Sequence, residues 1–210
     1  MSLAQISENP FLIVISAPSG GGKSTILERV LNDFDNIRYS ISSTTRRPRG
    51  QEQDGINYFF LETEEFEAKI TENEFLEYAN VFGNYYGTSR KFIQSCFDQG
   101  QYVIMDIDVQ GCLKLEKTTC PLVKIFLLPP DGQELESRLR KRGTDSNEVI
   151  EKRLYTAQQE LKLIDHYDYL VVNDDLEKAV YAVKNIIWAE MHKVSRYNDI
   201  YHSFYNNIDK

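Results

Sequence analysis

Between Phe11 and Leu27 the chain reads FLIVISAPSGGGKSTIL, an apolar run that breaks into glycines and then resumes at helical spacing. Phe11 to Ile15 is too short for a buried helix and rich in β-branched residues, so it reads as a central parallel strand covered on both faces. Ile26, Leu27, Val30 and Leu31 form the apolar stripe of a helix that starts near Lys23 and is expected to end near Phe34. Between them, Gly20, Gly21 and Gly22 remove the side chains that would keep backbone N–H groups from closing around an anion. The helix N-terminus adds the positive end of its dipole. Lys23 supplies a mobile cation for β- and γ-phosphates, and the Ser24 hydroxyl is placed to ligate Mg²⁺. Ala17, Pro18, Ser19, the three glycines, Lys23, Ser24 and Thr25 are thus the candidate phosphate loop. Ala17 stands where the pattern G-x-x-x-x-G-K-[ST] has its first glycine, and a methyl group is the smallest departure from it.

A strand and helix joined in this way need a sheet around them, and 210 residues suffice for one α/β domain with insertions. The net charge of −8 argues against a protein that coats nucleic acid or acidic membrane. Cys96, Cys112 and Cys120 form no C-x-x-C pair and are odd in number, so neither a disulfide framework nor a zinc site is expected; Cys96 and Cys112 read as small core residues. The sequence has no 18-residue apolar run and no signal-peptide pattern, which points to the cytoplasm. MSLAQISENP reads as a frayed lead-in, and the length leaves little room for partner domains.

Further along, Ile37 to Ser43 reads as a strand. Arg46, Arg47 and Arg49, interrupted by Pro48, form a basic loop. Gly55 to Phe60 is a turn running into an aromatic strand, and Thr63 opens a helix in the style of a capped start. NEFLEY and GNYYG are strand and turn material, and Ser89 to Asp98 is helical. Residues 40 to 90 therefore make a small mixed insertion, expected to be antiparallel, between two parallel-sheet units. Tyr102 to Ile107 is the second sheet strand. It ends at Asp106 and Asp108, on the side where open α/β sheets bind ligands. Asp106 is read equally as a group that orients Mg²⁺-bound water or the arginines and as a cap for the next turn. Leu122 to Leu128 is a third strand, stopped by Pro129 and Pro130. Arg138, Arg140, Lys141 and Arg142 crowd one helix, Gly143 breaks it, and another carries Arg153, a pair that reads as a mobile lid. Tyr169 to Val172 is the last strand, followed by a closing helix from Leu176 to Val194. His166, His192 and His202 show no nucleophile or metal spacing.

Two basic clusters and a phosphate loop hold more phosphate than one nucleoside triphosphate requires, which points to transfer between two phosphorylated substrates. On charge alone, a solvated surface loop accounts for Arg46 and Arg49 equally well. The segments APSGGGKST, SSTTRRPR, GNYYGT, MDIDVQG, RLRKRGT and VVNDD resemble, in order and spacing, those of the guanylate kinase family from Phe11 to about Met191. The resemblance implies an α/β fold: a P-loop kinase core with a parallel sheet flanked by helices, an inserted mixed α+β nucleoside-monophosphate-binding unit and a helical lid. Residues 1–40, 91–130 and 154–210 would be core, 41–90 the insertion and 131–153 the lid.

It also implies transfer of the γ-phosphate of ATP to GMP with Mg²⁺. Arg46, Arg49, Tyr58 and Tyr86 would hold the GMP phosphate, and Ser42, Glu77, Thr88 and Asp108 would read guanine. Arg138, Arg142 and Arg153 would surround the transferred group with Lys23, and Asn173 would contact adenine, a helix N-cap being the rival role for its stretch. Without the resemblance Glu77 reads as a surface charge on a strand. Thr88 stands where serine is common, and Gly50 follows Arg49 at once where the family often has another residue. The expected partners are the two nucleotides, with no nucleic acid or membrane, and a homo-oligomer is compatible with the sequence. The rival readings are a kinase of the same build for another acceptor, and a non-catalytic binding module of the guanylate-kinase-like kind.

Overall fold

The apolar run at the head of the chain is the middle of the molecule. In the computed structural model, which describes residues 9–81, 83–141 and 146–197, β1 (Leu12–Ser16) is buried along its whole length. It pairs in parallel with β7 (Tyr102–Asp106) on one side and β8 (Leu122–Leu128) on the other. β2 (Ile37–Tyr39) and β9 (Tyr169–Val172) complete a five-stranded sheet, ordered β2-β7-β1-β8-β9, in which every pairing is parallel. Because strand side chains alternate, Phe11, Ile13 and Ile15 meet the apolar stripes of α1 (Lys23–Leu31) and α7 (Leu176–Met191). Leu12 and Val14 face the opposite layer, where Ile93 and Cys96 of α3 (Arg90–Asp98) join Cys112 and Leu115 of α4 (Val109–Leu115).

A second sheet, ordered β4-β3-β6-β5, is built from β3 (Ser43–Thr44), β4 (Phe59–Phe60), β5 (Phe75–Val81) and β6 (Asn84–Ser89). Pairings β3–β6 and β5–β6 are antiparallel, and β3–β4 is parallel. Its nucleus is Phe66, fully buried on α2 (Thr63–Thr71) and stacked with Phe75 at 4.4 Å and Tyr85 at 5.2 Å between centroids. Beyond β8, α5 (Gly132–Lys141) and α6 (Asn147–Leu161) share a small apolar cluster of Leu135, Leu139, Ile150 and Ala157.

Several element readings are corrected. The run from Ile37 to Ser43 is split between the sheets: Ile37–Tyr39 pairs with Tyr102–Ile104, whereas Ser43 and Thr44 pair with Gly87 and Tyr86. The first helix ends at Leu31 rather than near Phe34, and the closing helix at Met191 rather than Val194. Thr63 does not cap its helix; Glu62 is the N-cap without a side-chain bond, and Glu64 and Glu65 supply the charge that suits a first turn. The helix expected to carry Arg153 is present as α6, which runs on to Leu161. Arg142, the Gly143 break, His202, the first eight residues and the tail from 198 lie outside the described residues.

Candidate functional site

The loop after β1 takes its shape from its glycines. Gly20 and Gly22 have φ of +95° and +89°, a region disfavoured for residues with a Cβ, and a Cβ on Gly22 would stand 2.3 Å from Asn173 Nδ2. Gly22 is also the N-cap of α1 and makes no side-chain cap, so the amides opening that helix have no side-chain acceptor there. Gly21 N–H closes the turn on the Pro18 carbonyl at 2.8 Å, with Ala17 packed beneath. Ser24 and Thr25, in the first turn, are exposed. Lys23 projects toward the end of β7, its Nζ 3.6 Å from Asp106 Oδ2. The other Asp106 oxygen accepts the Tyr39 hydroxyl. Burial, reinforced by that carboxylate, raises the Tyr39 phenol well above its usual range, so Tyr39 stays a donor.

A cleft of about 190 Å³ runs from Lys23 and Asp106 to the second sheet, lined also by Ser42, Tyr58, Glu77, Tyr86 and Asp108. Glu77 is only 7% exposed. Thr88, its cross-strand partner, is fully buried and donates its hydroxyl to Glu77 Oε1 at 2.7 Å, so it orients the acid from behind. Burial pushes the Glu77 carboxyl up to about 7; the Thr88 bond opposes the shift, the nearby Asp108 charge adds to it, and Lys114 opposes. Asp108 caps α4, accepting from Gly111 N–H at 2.7 Å, so the capping role considered for Asp106 belongs to Asp108. Gly111 is small for a reason: a Cβ there would stand 3.2 Å from Glu77 Oε2 and 3.3 Å from Asp108 Oδ1. Two acceptor groups that line one cleft match a base edge that presents N–H donors.

Arg46 is buried beside this cleft, its guanidinium carbon 5.3 Å from the Tyr58 ring centroid and its Nε donating to the Tyr86 hydroxyl at 3.2 Å. Arg49 is exposed on the loop rim. On the loop's other side, Arg153 Nη1 donates to Ser19 Oγ at 2.9 Å, and Arg138 Nη2 to the Asn173 carbonyl at 3.0 Å. Arg140 points away, to Glu136 and Asn147. Leu135 and Leu139 of α5 sit against Gly20, so the helical pair packs directly on the loop.

The sequence profile described as Guanylate kinase matches residues 9–190. The chain belongs to the guanylate kinase family. It is 45% identical over 190 residues to the guanylate kinase of Clostridioides difficile, covering 90% of this chain and 92% of that one. With the guanylate kinase of Carboxydothermus hydrogenoformans the identity is 46% over 187 residues, 89% and 92% of the two chains. A crystal structure of guanylate kinase from Anaplasma phagocytophilum is 32% identical and superposes with a TM-score of 0.80 over 97% of this chain and 98% of that chain.

In this guanylate kinase family member three site features had no sequence signal strong enough to single them out. Tyr39 reads as an ordinary strand aromatic. Glu52 hides in the polar run GQEQD. Glu160, partly buried on α6, has its carboxyl pushed up to about 7 by burial, with Asp108 adding and Lys23 opposing.

The helix N-cap considered for the VVNDD stretch is there: Asp175 caps α7, which leaves Asn173 for another task. Its side chain is buried and donates to the Gly21 carbonyl at 2.9 Å, while its own carbonyl holds Arg138. It therefore ties the loop to the helical pair. Asn173→Ala is expected to raise the KM for ATP about tenfold and leave the KM for GMP within about twofold, read from initial rates with each substrate varied in turn.

Proposed function

We infer that the glycine loop and the cleft are the donor and acceptor halves of one site, in which this enzyme transfers the γ-phosphoryl group of ATP to GMP, giving ADP and GDP. The observation that carries the assignment of residues is the set of groups that share the cleft. The carboxylates Glu77 and Asp108 and the phenols Tyr58 and Tyr86 line it together with Lys23, and Arg46 reaches it by donating to the Tyr86 hydroxyl. Guanine offers N1–H and N2–H₂ to Glu77 and Asp108, with Ser42 alongside. Arg46, Arg49, Tyr58 and Tyr86 take the monophosphate, whose oxygens are nucleophilic already, so positioning does most of the work.

Lys23 and the loop amides hold the donor phosphates. Arg138 and Arg153 are close enough to the loop to add charge stabilisation, and Arg142 is assigned the same role from its place in RLRKRGT. Asn173 supports the donor side, where Gly22, Thr25, Arg138, Asn173 and Leu176 line a second cleft.

The oxygen donors near the loop, the exposed Ser24 hydroxyl and the partly exposed Asp106 carboxylate, suit an Mg²⁺ ion that rides mainly on phosphate oxygens and water. Ser24 would be its protein ligand, with Asp106 orienting its water; when bound, the ion neutralises charge on the phosphates. The second sheet and the α5–α6 pair serve as insertion and lid, closing over the core when both nucleotides are present and so limiting wasteful hydrolysis.

Among the described residues no helix is long and apolar enough to cross a membrane. We propose a cytoplasmic setting, with GMP and ATP as the partners.

Initial rates with ATP and equal concentrations of GMP, AMP, UMP and CMP test the assignment. GMP is expected to exceed AMP by about 10² or more in kcat/KM, because adenine offers neither donor and leaves a desolvated carboxylate unpaired. Equal rates on AMP would overturn the guanine reading, and failure to bind ATP with Mg²⁺ would overturn the catalytic one.

A further inference from the structure

A guanidinium has five N–H donors, and Arg46 has committed most of its own. Its Nε donates to Tyr86, and Nη1 donates both to the Arg47 carbonyl at 2.8 Å and to Glu52 Oε2 at 2.9 Å. Nη2 gives one hydrogen to Glu52 Oε1 at 3.0 Å. Among the described residues, one Nη2 hydrogen is left for a ligand. The fork is thus already gripped end-on, through Nη1 and Nη2, by a carboxylate, a bidentate geometry that a phosphate would otherwise claim. Glu52 Oε2 also accepts the backbone N–H of Arg49 at 2.7 Å, so one acid binds both arginine positions of the loop. The pairing is not a surface accident, because the Arg46 side chain is 10% exposed against 25% for Glu52. The Arg46 bond in turn holds the Glu52 carboxyl below its usual range.

We propose that Glu52 is a positioning residue for the acceptor phosphate. It fixes Arg46 in one orientation, ties Arg49 to it, and presents one guanidinium N–H beside the Tyr58 and Tyr86 hydroxyls as a prearranged cage. The acid also lowers the formal charge of the arginine pair from +2 to +1, so the two cations stay together when no ligand is bound. The proposal rests on the reading of the cleft as the nucleoside monophosphate site.

Glu52→Gln keeps the side chain's size and removes the charge and one arm of the fork. In the full-length enzyme, the KM and Kd for GMP are expected to rise about tenfold, with kcat and the KM for ATP within about twofold. Guanosine, which lacks the phosphate, should bind wild type and variant equally by calorimetry. Glu52→Asp, with the charge kept, should recover part of the loss. A purely structural role would instead weaken guanosine and GMP alike and overturn the proposal. Unchanged GMP affinity would overturn it too, and tighter GMP binding would show that Glu52 competes with the phosphate rather than serving it. If the wild-type enzyme bound no GMP at all, the acceptor-site reading would fail first, whatever the variants did.

Discussion

Lys23→Ala is expected to lower kcat about 10³-fold or more while leaving the fold intact. Lys23 opens α1, is partly exposed, and is the cation among the described residues that line the cleft. At 3.6 Å its ammonium and Asp106 are in ionic contact but too far apart for a strong hydrogen bond. A partly solvated pair of this kind contributes little to stability, so its loss should scarcely move Tm. Phosphoryl transfer is another matter: charge builds between donor and acceptor oxygens, and a cation fixed there acts where water is excluded. Lys23→Arg should not rescue, because a planar fork on a stiffer stem cannot occupy the place of a compact ammonium. Single-turnover rates with ATP and GMP bound check this; a loss of less than about tenfold would remove Lys23 from the transfer step.

The second large effect concerns Glu77→Gln, expected to lower kcat/KM for GMP by about 10² or more and to narrow the gap to AMP. Glutamine keeps the oxygen that accepts the Thr88 hydroxyl but places an N–H₂ where guanine needs an acceptor. The same change should stabilise the apo protein in alkaline buffer, and the sign follows from linkage. The folded-state pKa of about 7 lies above the ordinary 4.5, so the folded chain binds the proton more tightly than the unfolded one does. Stability from this group is full below about pH 4.5 and is lost as pH rises to about 7, where a buried carboxylate must carry charge. Above that range the substituted amide carries no charge, so the variant's Tm should exceed that of wild type at about pH 8 and match it near pH 4.5. Wild-type affinity for GMP should in turn strengthen as pH rises toward 7, because the ionised acid is the acceptor. Identical pH–Tm curves for the two proteins would show that Glu77 is not held in the buried acid site.

These expectations draw unevenly on the sequence. The strand, glycine turn and helix from Leu12 to Leu31 were legible because their signals are local: β-branched residues, three glycines and a helical stripe. Asp106 and Asp108 were legible as the end of an apolar strand, although only the fold separates their tasks, one facing Lys23 and the other capping α4. The stretch from Ile37 to Thr44 was not, because local propensity cannot say that neighbouring residues leave one sheet and enter another; the partner strands lie some 60 and 40 residues on. Glu52 and Tyr39 escaped for the same reason, since a polar loop residue and a strand tyrosine acquire their roles only through Arg46 and Asp106. Asn173 draws its expected substrate role from the resemblance alone, and its bond to the Gly21 carbonyl joins distant parts of the chain that no local signal connects.

The central claim, a guanine-reading cleft joined to a phosphate loop, is tested most directly by a crystal structure of the enzyme with GMP bound. Guanine N1 and N2 should lie about 2.7–3.2 Å from carboxylate oxygens of Glu77 and Asp108, with the phosphate against Arg46, Tyr58 and Tyr86. A base seated instead beside Asn173 and Leu176, or Glu77 still turned from the ligand, would contradict it.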